Sequence, residues 1–232
     1  MNEIDTQTHI SRSITRRSGL KMGMGWAWIV TIALLIGSAI SFPERQFLYS
    51  SIVTTVPRIH LETLVTLIAS KGLLILVATA TVVGLWCLAR SRERLSVFAC
   101  AGVGVVIAYL LSEGIKILVS EPRPCASSML TTALTCPDPG DWSWPSNHSV
   151  LAAAFATACV LALSRTKWIV VPVAIVIASS RVAAGVHYVH DVLSGLALGV
   201  VTVCLVVVLL HPVWVRFANS EQSRLRHEGG QA

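Results

Sequence analysis

The chain has 232 residues, of which 54% are hydrophobic and 13% are charged, and it carries a formal net charge of +6. Soluble domains usually have about 25% charged residues, so this composition excludes an ordinary soluble protein and favours an integral membrane protein. The positive charge does not indicate a nucleic-acid partner, because the sequence has no RNP, zinc-finger or P-loop pattern and its basic residues lie mainly in short loops and tails.

Six apolar runs are long enough to cross a membrane, which takes about 17 to 25 residues in a helix. Their predicted bounds are residues 25–41, 64–88, 97–119, 148–164, 168–186 and 191–213. The sequence therefore predicts an all-α, six-helix membrane bundle over residues 23–215, with polar tails at 1–22 and 216–232. The polar connection at 43–62 is compatible with an interfacial helix.

The distribution of the 18 Lys and Arg residues predicts how the bundle is oriented. Most of them lie in the two tails, in the loop around Arg92 and in the turn around Arg165. With six spans these four segments share one side of the membrane, and positive loops favour the cytoplasmic side. We therefore expect both termini in the cytoplasm of a bacterial cell and the long loop at 120–147 outside it.

Two groups of cysteines are distinguished by their positions. Cys125 and Cys136 lie in the long outer loop, where an oxidising compartment would allow them to form a disulfide. The other four lie in or at the ends of apolar runs and are expected to be core residues: Cys87, Cys100, Cys159 and Cys204.

Three polar clusters flank the apolar runs at what the topology makes the outer face. They run from Lys116 to Pro124, from Pro145 to His148, and from Ser180 to Asp191. Ionisable groups beside membrane-length segments are costly, and by default they mark a functional site. We therefore expect the fold to bring the three clusters together in one pocket.

The cations of these clusters suit a phosphate group. Lys116, Arg123 and Arg181 would put three positive charges near one point, and a guanidinium matches phosphate oxygens in shape. A helix that begins after Ser146 would add free backbone N–H groups, although a plain helix cap also explains this serine. The alternative for the cations is a structural salt-bridge network with Glu113, Glu121 or Asp138.

The histidines suit phosphoryl transfer. His187 and Asp191 are four residues apart and would share a helix face. Asp191 could then accept a hydrogen bond from one ring nitrogen and leave the other free to attack phosphorus, while His148 protonates the leaving oxygen. Such a site needs no metal or other cofactor. One alternative is a metal hydrolase built from His148, His187, His190 and Asp191.

The three clusters resemble the signature of the type 2 phosphatidic acid phosphatase superfamily. That signature reads Lys-x6-Arg-Pro, then Pro-Ser-Gly-His, then Ser-Arg-x5-His-x3-Asp. This chain has all three parts in order and at these spacings, with Asn147 in place of the Gly. The resemblance covers about residues 95–205 and also implies a six-helix membrane core.

The resemblance implies a role for each residue of the signature. His187 is the nucleophile that forms a phosphohistidine, Asp191 orients it, and His148 acts first as general acid and then as the base for water. Phosphate binding falls to Lys116, Arg123, Ser146, Asn147 through its backbone N–H, and Arg181. His190 has no place in the signature, and we expect it at the rim of the site or in a helix cap.

The expected function is therefore a lipid phosphatase, with membrane lipids as its surroundings and a lipid phosphate as its substrate. Outer-face placement and a short chain favour a polyprenyl diphosphate, such as undecaprenyl or decaprenyl diphosphate. The alternatives are a phosphatidic acid or phosphatidylglycerophosphate phosphatase, a phosphotransferase to a lipid or sugar acceptor, and a non-catalytic lipid-phosphate binder.

Overall fold

The computed structural model describes residues 25–229 and the side chains of residues 25–216, and within that range it contains helices and connections but no strand. The helices are α1 (Gly25–Ser41), α2 (Arg45–Arg58), α3 (Glu62–Lys71), α4 (Leu73–Arg90), α5 (Arg92–Val119), α6 (Pro124–Ser127), α7 (Asn147–Ala162), α8 (Lys167–Ala183) and α9 (Val189–Gly229). A single 3-10 turn at Ser164–Thr166 joins α7 to α8.

The six predicted apolar runs are largely helical, with the run at 64–88 divided between α3 and α4, so the predicted all-α membrane bundle is confirmed. Four helical segments are long and apolar enough to cross a membrane: Glu62–Arg90, Arg92–Ser127, Ser164–Ala183 and Val189–Arg216. α1 and α2 meet at an angle of 93° and pass the same test only as a pair. α7 is apolar but has 16 residues, which makes it shorter than each of these four segments.

Small residues let α7 pack closely against its neighbours at the centre of the bundle. Its buried face is rich in alanine, and α9 meets it with glycine. A Cβ on Gly195 would lie 2.8 Å from the Ser146 carbonyl oxygen, and a Cβ on Gly199 would lie 2.9 Å from the Ala153 Cβ. Such close approach of two helices needs glycine at the contact. It holds the first turn of α9 against the start of α7.

Large apolar side chains cover the outside of the bundle. Trp26 of α1, Leu74 of α4, Leu118 of α5 and Trp168 of α8 are 62–85% exposed. Lipid tails are as apolar as these side chains, so this surface fits a hydrocarbon environment. The polar and charged residues of the three clusters lie instead at one end of the bundle, where the helix ends meet the loop between α5 and α7.

The structure describes the backbone of most of the predicted C-terminal tail and none of the predicted N-terminal tail. The N-terminal tail at 1–22 lies outside the described residues. α9 continues beyond the predicted end of the sixth span at 213 and reaches Gly229, so most of the predicted C-terminal tail is helical.

Candidate active site

The fold brings the three polar clusters to one site. Lys116 lies in the last turn of α5, and Arg123 directly precedes α6. His148 lies in the first turn of α7, and Arg181 in the last turn of α8. The backbone N–H of Ser146 donates to the carbonyl of Asp191 at 3.1 Å, which ties the second cluster to the third.

His187 and Asp191 form a buried pair. Oδ2 of Asp191 lies 3.3 Å from Nδ1 of His187, and it also accepts the backbone N–H of Tyr188 at 2.9 Å and the hydroxyl of Ser143. The contact does not come from a shared helix face, because α9 begins at Val189, after His187. Instead the chain turns at Gly185, which has a φ of +82°, and folds the ring back over the first turn of α9.

Arg123 identifies the ring nitrogen of His187 that carries the proton. Its Nη1 lies 2.9 Å from Nε2 of His187 and donates to the Val186 carbonyl at 3.0 Å. A guanidinium has five donors and no acceptor, so Nε2 must be the acceptor in this contact. Nδ1 therefore carries the proton and faces Asp191, and the lone pair of Nε2 faces the cations.

Complete burial lowers the pKa of His187 to about 4. The hydrogen bond and charge of Asp191 act in the opposite direction, and the charges of Arg123 and Arg181 lower the pKa further. The ring is therefore neutral at neutral pH, which is the state that a nucleophilic imidazole needs.

An acidic residue that the sequence analysis did not single out lies between two of the cations. Oδ1 of Asp141 is 3.1 Å from Nζ of Lys116 and 2.9 Å from Nη2 of Arg123, and the Asp141 carbonyl accepts from Nε of Arg123 at 2.7 Å. Glu113, which the sequence offered as a partner of Lys116, is farther away at 3.9 Å. Burial by itself would raise the pKa of Asp141, but the hydrogen bonds and charges of Arg123 and Lys116 outweigh burial and hold that pKa below its ordinary value.

Two of the buried polar groups at the site that have no hydrogen-bond partner among the described residues are donors that a phosphate could use. One is the hydroxyl of Ser146, which occupies the cap position of α7 but makes no cap bond. The other is Nε of Arg181, whose Nη1 donates to the Ala69 carbonyl at 3.0 Å. A buried polar group without a partner costs about 1–3 kcal/mol. A phosphoryl group bound here would give both atoms a partner.

His148 belongs to the same site. It is half-buried in the first turn of α7, close enough to Arg181, His187 and Arg123 for their charges to act on it. A second imidazole beside the first can exchange a proton with a leaving oxygen or with water.

The match to a family model decides what kind of protein carries this site. Residues 97–214, which are half of the chain and include all three clusters, match the model described as the PAP2 superfamily. The chain belongs to the PAP2 superfamily. The resemblance inferred from the three sequence motifs is thereby confirmed.

Curated PAP2 phosphatases are similar to part of the chain. An undecaprenyl-diphosphatase of Sulfolobus acidocaldarius is 34% identical over 98 residues, which are 42% of this chain and 47% of that protein. A decaprenylphosphoryl-5-phosphoribose phosphatase of Mycobacterium tuberculosis is 37% identical over 112 residues, which are 47% of this chain and 57% of that protein. The chain thus spans about half the length of the curated relatives it matches.

A solved structure shares the fold. The crystal structure of a transmembrane PAP2-type phosphatidylglycerolphosphate phosphatase from Bacillus subtilis superposes with a TM-score of 0.53 at 21% sequence identity. The match covers 78% of this chain and 92% of that one. At this identity the likeness supports the PAP2 fold and nothing finer.

Asn147 is the position at which this PAP2 member departs from the signature, and its side chain turns toward α5. Nδ2 donates to a carboxylate oxygen of Glu113, and Oδ1 accepts from the Ser112 hydroxyl at 2.6 Å. The bulk that Asn adds relative to Gly is therefore fixed against α5.

The long loop of the PAP2 site is closed by a disulfide. Cys125 of α6 is bonded to Cys136, with their Cα atoms 5.7 Å apart, and the bridge lies between Arg123 and Asp141 along the chain. The other four cysteines are free and buried, as the sequence analysis expected.

A second histidine, for which the PAP2 signature has no role, contacts the same aspartate. Nε2 of His190 lies 3.0 Å from Oδ1 of Asp191 and 3.2 Å from Oε2 of Glu121. Within residues 25–216, these three side chains form the one group close enough to share a metal ion. His148 and His187 are not in it, so the four-residue metal set considered from the sequence does not assemble in this part of the chain.

Proposed function

We propose that this protein is a membrane lipid phosphatase that hydrolyses a polyprenyl diphosphate through a phosphohistidine on His187. The observation that carries the proposal is the state of that ring. It is buried and neutral, its Nδ1 faces Asp191, and its Nε2 lone pair faces Arg123. This is the arrangement that a nucleophile at phosphorus requires.

In the first step, Nε2 of His187 attacks the terminal phosphorus, and the bond to the leaving lipid phosphate breaks. In the complex with the anionic diphosphate, whose negative charge favours the protonated ring, His148 carries a proton and gives it to the departing oxygen. Charge on the three equatorial oxygens is stabilised by the cations, by the Ser146 hydroxyl and by the backbone N–H groups in the first turn of α7. The positive charge that develops on the His187 ring is balanced by Asp191.

In the second step, water attacks the phosphorus of the phosphohistidine. His148, now neutral, takes a proton from that water, and the bond between phosphorus and Nε2 breaks. Inorganic phosphate leaves, and both histidines return to their starting protonation states. Every proton moved in the two steps is exchanged with His148, so the cycle closes without a metal ion.

The choice of a polyprenyl substrate is supported by the relatives and by the surface of the bundle. Two relatives are named for undecaprenyl and decaprenyl lipids. The apolar outside of the helices would let a long lipid tail remain in the membrane while its diphosphate enters the polar end of the bundle. The Bacillus subtilis structure is named for another lipid phosphate, so the headgroup must be tested directly.

We place the site on the extracytoplasmic face, with residues 23–215 as the membrane domain and the tails at 1–22 and 216–232 in the cytoplasm. The basic residues around Arg92 and Arg165 support this orientation, because positive loops are retained in the cytoplasm. The bridge between Cys125 and Cys136 lies in the loop assigned to the outer side, and disulfides persist in oxidising compartments.

The decisive experiment measures phosphate release by the purified full chain from undecaprenyl diphosphate, phosphatidic acid and phosphatidylglycerophosphate in detergent. We expect the polyprenyl diphosphate to react fastest, with unchanged rates in EDTA. His187→Ala should abolish release while it still binds the lipid. Substrate labelled at the terminal phosphate should label the protein on histidine and then yield inorganic phosphate. Transfer of the label to a lipid or sugar acceptor would instead establish a transferase, and full activity of His187→Ala would refute the mechanism.

A further inference from the structure

His190 is held in one orientation beside the catalytic pair. The residue is 2% exposed, and Nε2 of its ring lies 3.2 Å from Oε2 of Glu121 and 3.0 Å from Oδ1 of Asp191. Ionised carboxylates have no proton to donate, so the proton between these groups must be on Nε2. The Nε2–H of His190 therefore donates a hydrogen bond to Glu121. Oδ1 of Asp191 lies close to the same nitrogen but does not have the geometry of a hydrogen bond.

The ring is also fixed by packing. Phe42 meets it edge-on with ring centroids 4.9 Å apart, and Tyr188 stacks on it at 5.5 Å. The hydroxyl of Ser38 in α1 donates to the His190 carbonyl at 3.1 Å, which holds the backbone as well. A residue at the rim of a site or in a helix cap would not be enclosed in this way.

The two oxygens of Asp191 have unequal surroundings. Oδ2 is close to three donors, which are His187, the Tyr188 backbone and Ser143. Oδ1 is buried and has no aligned hydrogen bond, and the near polar atom that the structure gives it is Nε2 of His190. A buried carboxylate is stabilised by each donor close to it, and Nε2–H of His190 is the donor that lies beside Oδ1.

We propose that His190, held by Glu121, is a positioning residue that fixes the Asp191 carboxylate and through it the His187 ring. The proposal rests on the proposed function, because it extends the pair of Asp191 and His187 to a chain of four groups. The polar partners of the His190 ring in the described structure are Glu121 and Asp191, neither of which is a cation of the phosphate site, so we expect its effect to fall on the chemical step. We expect Lys116, Arg123 and Arg181 to bind the substrate phosphate without His190.

Two substitutions of similar size separate this role from simple packing. His190→Gln keeps an N–H donor near the position of Nε2, and His190→Met does not. We expect His190→Met to lower kcat by about 10- to 100-fold, as loss of an outer partner of an active-site group typically does, with KM unchanged. His190→Gln should recover most of the rate. Glu121→Gln should also lower kcat, and adding it to His190→Met should cause no further loss, because both changes break one chain.

An NMR measurement made without substrate tests the positioning role of His190 independently of the proposed function. The proton that His187 Nδ1 shares with Asp191 should give a downfield NMR signal in the wild-type protein. We expect that signal to be lost or shifted in His190→Met and retained in His190→Gln. If the wild type hydrolyses no lipid phosphate but the signal behaves in this way, the function is wrong and the positioning role stands.

Other results would overturn the positioning role. It fails if Gln and Met at position 190 lower kcat equally, if the main change is in KM, or if the signal of the His187 proton is the same in both variants. It also fails if the wild type loses activity in EDTA and zinc restores it while His190→Met no longer binds zinc. That outcome would make Glu121, His190 and Asp191 a metal site.

Discussion

Nη1 of Arg123 lies 2.9 Å from Nε2 of His187, so the side chain proposed to bind phosphate is hydrogen-bonded to the atom proposed to attack it. The same guanidinium holds Asp141 through Nη2 and Nε. A substrate phosphoryl group must therefore take these donors for itself, which removes Arg123 from the Nε2 lone pair at the moment phosphorus arrives. The arginine keeps the ring in its reactive tautomer until then.

The planar fork of Arg123 is the feature that a lysine cannot reproduce. Arg123→Lys keeps the charge but cannot contact His187 and Asp141 together. Loss of a hydrogen bond to a charged group is worth about 1.5–3 kcal/mol, so we expect kcat/KM for lipid phosphate to fall by about 10- to 100-fold. Arg58→Lys, at an exposed position at the end of α2, is the matched control and should leave kcat/KM unchanged. Equal rates for Arg123→Lys and wild type would show that the fork is not used.

Asp141 competes with phosphate for Lys116 and Arg123. Asp141→Asn removes the competing negative charge, so we expect inorganic phosphate and vanadate to inhibit more strongly. Because the Asp141 side chain is 48% exposed, the gain is limited to that of a partly solvated ion pair, about 1 kcal/mol or roughly fivefold in the inhibition constant.

Asp138→Asn is the control for Asp141→Asn. It removes the same charge from an exposed position in the same loop, and it should leave the inhibition constants near the wild-type values. If Asp141→Asn weakens phosphate inhibition, Asp141 organises the cations and does not compete for them.

The buried state of His187 predicts how stability depends on pH. Its pKa is about 4 in the folded protein and about 6.5 when unfolded, so the unfolded chain takes up a proton first as the pH falls. The stabilising effect is complete above about pH 6.5 and is lost progressively toward about pH 4, by at most about 3 kcal/mol. Melting followed by tryptophan fluorescence should therefore show a larger drop in Tm between about pH 7 and pH 5 for wild type than for His187→Gln. Equal drops would mean that His187 titrates like an exposed histidine.

The lengths of the apolar runs predicted the membrane bundle, and the three polar motifs between those runs predicted that Lys116, Arg123, Arg181 and His187 meet at one site. They did not predict Asp141. The sequence offered Glu113, Glu121 and Asp138 as partners for the cations. Which acidic side chain of the loop between α5 and α7 meets the cations depends on how that loop folds. A turn between Asp138 and Asp141, in which Gly140 has a φ of +98°, separates the acid that the sequence offered from the one that meets the cations.

Two other contacts could not be read from the sequence. Ser143 contacts Asp191 from across the site at a sequence separation of 48, and no local pattern marks such a pair. His190 was expected at the rim of the site or in a helix cap because it has no place in the signature. Its ring is instead buried between Phe42 and Tyr188 and lies 3.2 Å from Glu121, a contact between residues far apart in the chain.

Gly195 lets α9 approach the start of α7, where His148 lies. A Cβ at this position would lie 2.8 Å from the carbonyl oxygen of Ser146 and 3.1 Å from the Cβ of Ser149. A backbone carbonyl cannot rotate away, so in Gly195→Ala the two helices must separate. That movement would strain the bond from the Ser146 N–H to the Asp191 carbonyl and shift His148 relative to His187.

We expect Gly195→Ala to lower stability by about 1–3 kcal/mol, the usual cost of overpacking, and to lower kcat more than it raises KM. Gly102→Ala is the matched control, since a Cβ there has no atom within 4 Å, and it should melt and react like wild type. Tryptophan fluorescence melts and phosphate release measured on the same preparations separate the two effects. If Gly195→Ala loses stability but reacts at the wild-type rate at a temperature where it is folded, the spacing of α7 and α9 does not control the reaction. If it reacts slowly while fully folded, close packing at this glycine is part of what aligns the general acid with the nucleophile.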